Sequence, residues 1–141
     1  MPAVSRMIAT DLARELDALP QVMQLAESFF SPLPGYGKVR YAVELALEEL
    51  FTNMIKYNRE GAGPIRIEIE LQNGEVVVRL KDFDAPRFDP FRDAPPFRPN
   101  QSLEERKPGG LGLHLVREMM DRIEYSHHNR TSTITLAKRV D

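Results

Sequence analysis

Residues 38–82 read KVRYAVELALEELFTNMIKYNREGAGPIRIEIELQNGEVVVRLKD, and this stretch decides the fold. Val43, Leu47, Leu50, Met54 and Tyr57 recur at steps of four, three, four and three, which draws one apolar stripe along a helix. The spacing predicts a helix over Lys38–Asn58, ended by Gly61-Ala62-Gly63-Pro64. Ile65, Ile67, Ile69 and Leu71 then alternate with charged residues, the period of a half-buried strand. Asn73-Gly74 supplies a two-residue hairpin turn, because both residues tolerate positive φ. The return strand places Val76, Val78 and Leu80 on one face.

Outward from this core the pattern continues in both directions. Ser5–Thr10 reads as a short strand, and Leu12–Phe30 carries apolar residues at helical spacing. Pro20 falls inside that pattern and implies a break or a fresh helix start. The 24 residues from Ala85 to Pro108 hold six of the 11 prolines and show no periodicity, as a functional or disordered loop would. Gly109-Gly110-Leu111-Gly112 follows, then a helix from about Leu111 to Asp121. Ile123–His127 and Thr131–Arg139 form a closing hairpin across Asn129-Arg130.

Composition narrows the chemistry. The 141 residues suit one domain, residues 1–141, with enough apolar content to bury a core. With 19 basic and 21 acidic side chains there is no basic surplus to suggest direct nucleic-acid binding. No apolar run reaches the ~18 to 20 residues that span a membrane, and the early charges of the amino terminus do not suit a secretory signal. A cytoplasmic protein is the expectation. Cysteine is absent, which excludes disulfides and thiolate chemistry, and three histidines make a protein metal cage an unattractive reading.

Three places can carry chemistry. Glu49 and Asn53 lie one turn apart on one helix face at the margin of the apolar stripe, while Glu48 points away. Lys56 and Tyr57 continue that face. The pair suits a cleft, or equally a solvated helix edge. Asp82 keeps the phase of Leu80, so its carboxylate points to the core side unless the strand has already ended and a turn begins. An unpartnered carboxylate there is costly, which suggests an acceptor fixed on a pocket floor. Gly109, Gly110 and Gly112 open a helix whose amides can approach a phosphate, or they simply make a tight turn. No Gly-Lys-Ser/Thr follows, so this is not a P-loop.

Taken in order, Glu49-x-x-x-Asn53 on a helix, a strand ending in Asp82, Phe88-Asp89-Pro90, a long loop and Gly109-Gly110-Leu111-Gly112-Leu113-His114-Leu115-Val116 resemble the GHKL (Bergerat) ATP-binding superfamily. Within it the chain resembles the anti-sigma-factor serine/threonine kinases. The resemblance implies a two-layer α/β sandwich, with a mixed, mostly antiparallel sheet and helices on one face. It implies Glu49 as general base and Asn53 as ligand to a Mg²⁺ that bridges the ATP phosphates. Lys56 and Tyr57 match positions near phosphate and adenine, and Asp82 matches the acceptor for the adenine amino group. Gly109, Gly110, Leu111 and Gly112 match the second glycine box, and residues 85–108 match a mobile ATP lid. Two departures stand out: Asp82-Phe83-Asp84-Ala85-Pro86 lacks the family's glycine after the aspartate, and Ser132 stands where a threonine is common. His114, within the helix after the glycine box, reads as structural.

The function implied is ATP-dependent phosphorylation of a serine or threonine on a STAS-type antagonist, with a sigma factor as second partner and a homodimer as the assembly. The alternatives are a non-catalytic nucleotide-dependent switch, a simple ATPase, or a structural protein that uses no nucleotide.

Overall fold

A computed structural model describes residues 5–58, 61–93 and 110–140. Strand β1 spans Arg6–Leu12 and leads through a 3-10 turn at Leu16–Ala18 into helix α1, Leu19–Phe30. The apolar pattern from Leu12 is therefore not one helix. Leu12 ends β1 opposite Ile65, and Pro20 occupies the first turn of α1, where its missing N–H costs nothing. Helix α2, Gly37–Tyr57, is followed by the hairpin β2 (Ile65–Gln72) and β3 (Glu75–Asp82). A four-residue helix α3 (Pro90–Asp93), helix α4 (Gly110–Met119), and strands β4 (Arg122–His128) and β5 (Thr131–Arg139) complete the chain.

The sheet order is β1-β2-β3-β5-β4, and every pairing is antiparallel. This corrects the expectation of a mixed sheet. β4 does run in the same direction as β3, but the β4–β5 hairpin folds back and inserts β5 between them. Both hairpin turns place consecutive residues at positive φ, Asn73 at 55° with Gly74 at 74°, and Asn129 at 50° with Arg130 at 61°. That geometry matches the twist of the flanking strands.

The apolar face of the sheet packs under the helices. Ile65, Ile67, Ile69, Leu80, Ile134 and Leu136 meet Leu47, Leu50, Phe51, Phe29 and Val116 in one buried cluster. The opposite face is charged. Arg66 pairs with Asp11 at 3.1 Å and with Glu68 at 3.0 Å, Lys81 reaches Glu68 at 3.4 Å, and Arg79 reaches Glu70 at 3.1 Å. These pairs follow the register, in which Asp11 faces Arg66, Arg66 faces Lys81, and Glu68 faces Arg79. On β2 and β3 this face is ion-paired, and its exposed apolar side chain is Met7 on the edge strand, opposite Glu70.

Candidate functional site

Helix α2 carries the site because one of its faces supplies the core and the margin of that face supplies polar groups. Leu50 and Met54 are buried in the core, and Asn53 between them is buried as well. The Asn53 amide nitrogen donates to the Glu49 carbonyl at 2.6 Å. Its Oδ1 is buried and has no hydrogen-bond partner. An orphaned oxygen of this kind is costly unless something binds it.

The Glu49 carboxyl lies against the first turn of α4. A Cβ at Gly112 would collide with it, so the glycine is what allows helix and carboxyl to approach so closely. Burial pushes the Glu49 carboxyl above its ordinary value of 4.5; the neighbouring Glu48 adds to the rise and Lys56 opposes it. A carboxylate poised in this way is a better proton acceptor than an ordinary glutamate.

Tyr57, half-buried at the end of α2, stacks on Phe88 with ring centroids 6.3 Å apart, and the Lys56 ammonium lies 5.5 Å from the Tyr57 ring centre. Phe88 is tied down in turn, because its N–H donates to the Tyr125 hydroxyl at 2.9 Å. That hydroxyl also lies 2.8 Å from Ser132 Oγ. Ser132 faces Asp82 across the β3–β5 ladder. The start of the expected lid is thus fastened to the same end of the sheet as Asp82. Within it, α3 begins where Asp89 Oδ1 accepts the Phe91 N–H at 3.0 Å, a cap that the proline-rich texture concealed.

Asp82 is the last residue of β3 and is buried, so the strand does carry its side chain inward and the turn-starting alternative falls. It is not an unpartnered acceptor. The Arg14 guanidinium grips both carboxylate oxygens, Nη2 on Oδ1 and Nη1 3.4 Å from Oδ2, while the Asn58 amide donates to Oδ2 at 2.7 Å. Sequence reasoning missed both partners. Arg14 lies 68 residues from Asp82 and has no local pattern to mark it. Asn58 reads in the sequence only as the last residue of a helix, and the general rule that a buried carboxylate needs partners does not single it out.

Glu49, Asn53 and Gly112 are therefore brought together, and Gly110 is the first residue of α4. Leu111 is largely exposed, with no burial that assigns it a role. Gly109 and most of the expected lid, residues 94–108, lie outside the described residues. His114 stands 4.0 Å from Glu118 on the exposed face of α4. Among the described residues, no group of three or more histidine or acidic side chains forms a metal cage. A cation that keeps its own waters and phosphate ligands, as Mg²⁺ does, needs only one or two protein oxygens. Asn53 Oδ1 is of the right chemical kind, and it is a buried oxygen without a partner.

The class this defines is an α+β sandwich in which one long helix sets an acid beside the glycine-opened start of another helix, a buried amide one turn further on, and its end against a buried aspartate at a strand end. The chain belongs to the histidine kinase-like ATPase domain family, which it matches over residues 12–138. It is 28% identical over 103 residues to the serine/threonine-protein kinase BtrW of Bordetella bronchiseptica, covering 71% of this chain and 70% of that one. It is 26% identical over 129 residues to the serine-protein kinase RsbW of Listeria innocua, covering 85% and 82%. The crystal structure of the RsbU and RsbW domains of a Mycobacterium tuberculosis protein superposes with a TM-score of 0.66 at 14% identity, which speaks for the fold. It matches 96% of this chain, and this chain spans about a third, 32%, of that one.

Proposed function

We propose that the chain is an ATP-dependent serine/threonine protein kinase that also acts as an anti-sigma factor. The observation that carries this reading is the pairing of a Glu49 carboxyl held at the start of α4 with the orphaned Asn53 oxygen one turn further along α2.

In this reading the substrate hydroxyl belongs to a small STAS-type antagonist. Its oxygen forms a bond to the γ-phosphorus of ATP while the bond from that phosphorus to the β–γ bridging oxygen breaks, and ADP leaves. Glu49 accepts the hydroxyl proton. Asn53 Oδ1 would hold Mg²⁺, which when bound neutralises charge on the phosphates. The positive end of α4, opened by Gly110 and Gly112, faces the same region and favours negative charge. Asp82 accepts from the adenine amino group, and Tyr57 and Lys56 line the approach to base and phosphate. The sigma factor and the antagonist are alternative protein partners, which places the protein in the cytoplasm. Among the described residues no helix is long and apolar enough to cross a membrane.

Incubation with γ-labelled Mg-ATP and the candidate antagonist tests the proposal. Label on a serine or threonine of the antagonist is expected. Glu49→Gln should keep nucleotide binding and lose ~10²- to 10⁴-fold in transfer, the usual value of general-base catalysis. Transfer within a few-fold of wild type would remove Glu49 from the role of base. Nucleotide binding without transfer would make the protein a switch, and phosphate release without any partner would make it an ATPase.

A further inference from the structure

Arg14 belongs to no motif, yet its guanidinium contacts both oxygens of the Asp82 carboxylate. Its Nε donates to the Gly63 carbonyl at 3.2 Å, Nη1 lies 3.4 Å from the Asn58 carbonyl and 3.4 Å from Asp82 Oδ2, and Nη2 meets Asp82 Oδ1. Gly61 and Gly63, beyond the end of α2, lie against it. A Cβ on Gly61 would fall 2.5 Å from the Arg14 Cζ, so no other L-residue fits there without moving the guanidinium. The side chain is 12% exposed and Asp82 1%.

The direction of approach matters. Asp82 on β3 lies between Ile65 of β2 and Ser132 of β5. Arg14 follows β1, which lies beyond β2, and Asn58 follows α2. Arg14 therefore reaches the carboxylate from the segment after β1, on the β2 side of β3, while Asn58 reaches it from the end of α2, the helix that packs on β3 and β5. On the other flank stand Ser132 and Tyr125, joined to Phe88 and, through its ring, to Tyr57.

We propose that Arg14 is a positioning residue for base recognition: it grips Asp82 from the β2 side and fixes the carboxylate plane, so that the remaining acceptor capacity serves the 6-amino group of the purine. This rests on the reading of Asp82 as the adenine acceptor. The planar fork suits the task, since two parallel N–H donors set the orientation of a carboxylate in a way that a lysine cannot. Each carboxylate oxygen has two lone-pair directions; Oδ2 accepts from both Arg14 and Asn58 and Oδ1 from Arg14, so the remaining capacity lies on Oδ1.

The test compares binding of ATP with that of purine riboside triphosphate, which lacks only the 6-amino group, by the full-length wild type, Arg14→Met and Arg14→Lys. Wild type should prefer ATP by about tenfold, the value of one charge-assisted hydrogen bond. Arg14→Met should weaken ATP while leaving the analogue within about twofold, so that the preference falls at least threefold; Arg14→Lys should lie between. A purely structural role would weaken both nucleotides equally and preserve the ratio, and that outcome overturns the proposal. So does tighter ATP binding in Arg14→Met, which would make the guanidinium a competitor for Asp82. If Arg14→Met does not fold, the ratio in Arg14→Lys decides in the same way. A wild type with no preference would show that Asp82 does not read the amino group, and the proposal falls with that reading. A preference that survives in both variants sinks the role of Arg14 alone.

Discussion

Glu49 and Gly112 are coupled at the scale of single residues. Because burial and the Glu48 charge both raise the Glu49 pKa, ionised Glu49 is lost as pH falls through a value above 4.5. The transfer rate should therefore show an acid limb centred above the ordinary glutamate range. Glu48→Gln removes a like charge and should move that limb to lower pH, although Glu48 itself points to solvent. A pH–rate profile of the two proteins checks this, and an unmoved limb would deny the coupling. Gly112→Ala sets a methyl where the Glu49 carboxyl now lies. The obstacle is the far end of a flexible side chain, so the carboxyl swings aside and thermal stability changes little. Transfer should fall at least tenfold, toward the range that loss of a general base produces. A variant with unchanged transfer would show that Glu49 does not act from this position.

Among the elements, the β1-β2-β3 half of the sheet has an outer face built of charge, with Glu68 at its centre. Burial pushes the Glu68 carboxyl up, but Arg66 and Lys81 outweigh it and hold the group below its ordinary value of 4.5. A lowered carboxyl adds stability that is present above 4.5 and fades as pH falls through the native value. Glu68→Gln should thus cost about 1 kcal/mol at neutral pH, the scale of a partly screened ion-pair network. The difference should vanish in acid, well below pH 4.5. Denaturant titrations of both proteins at neutral and acid pH measure it; a penalty that persists in acid would assign the effect to packing. Alternation in β2 announced that this face was polar. The ion pairs themselves depend on register, which the Asn73-Gly74 turn sets for β3 but which nothing local sets for β1.

For the whole molecule, assembly is the open expectation. On the outer sheet face the charges of β2 and β3 already satisfy one another, so a dimer contact falls at its β1 edge, where Met7 stands opposite Glu70, or beyond it. Met7 on edge strand β1 and Leu16 just beyond it are both more than half exposed and suit that role. We expect light scattering at micromolar concentration to give twice the 16.1 kDa chain mass, and Met7→Lys to shift it toward the monomer. A wild-type monomer would leave the site complete within one chain.

Periodicity and turn residues determined α2, the β2–β3 and β4–β5 hairpins and the shared face of Glu49 and Asn53, because each depends on residues within a few positions of one another; they left Asp82 between an inward strand end and the start of a turn. The same local rules ran Leu12 into α1 and left Asp89 without its cap, since a pattern of apolar residues does not state where a strand stops or which backbone N–H lacks a partner. Only the tertiary structure decided that β5 lies between β3 and β4, that Gly112 stands against Glu49, and that Arg14 and Asn58 hold Asp82. Those contacts join residues up to 68 positions apart. A buried carboxylate or a missing Cβ demands a complement, but the demand does not say which residue of the chain will meet it.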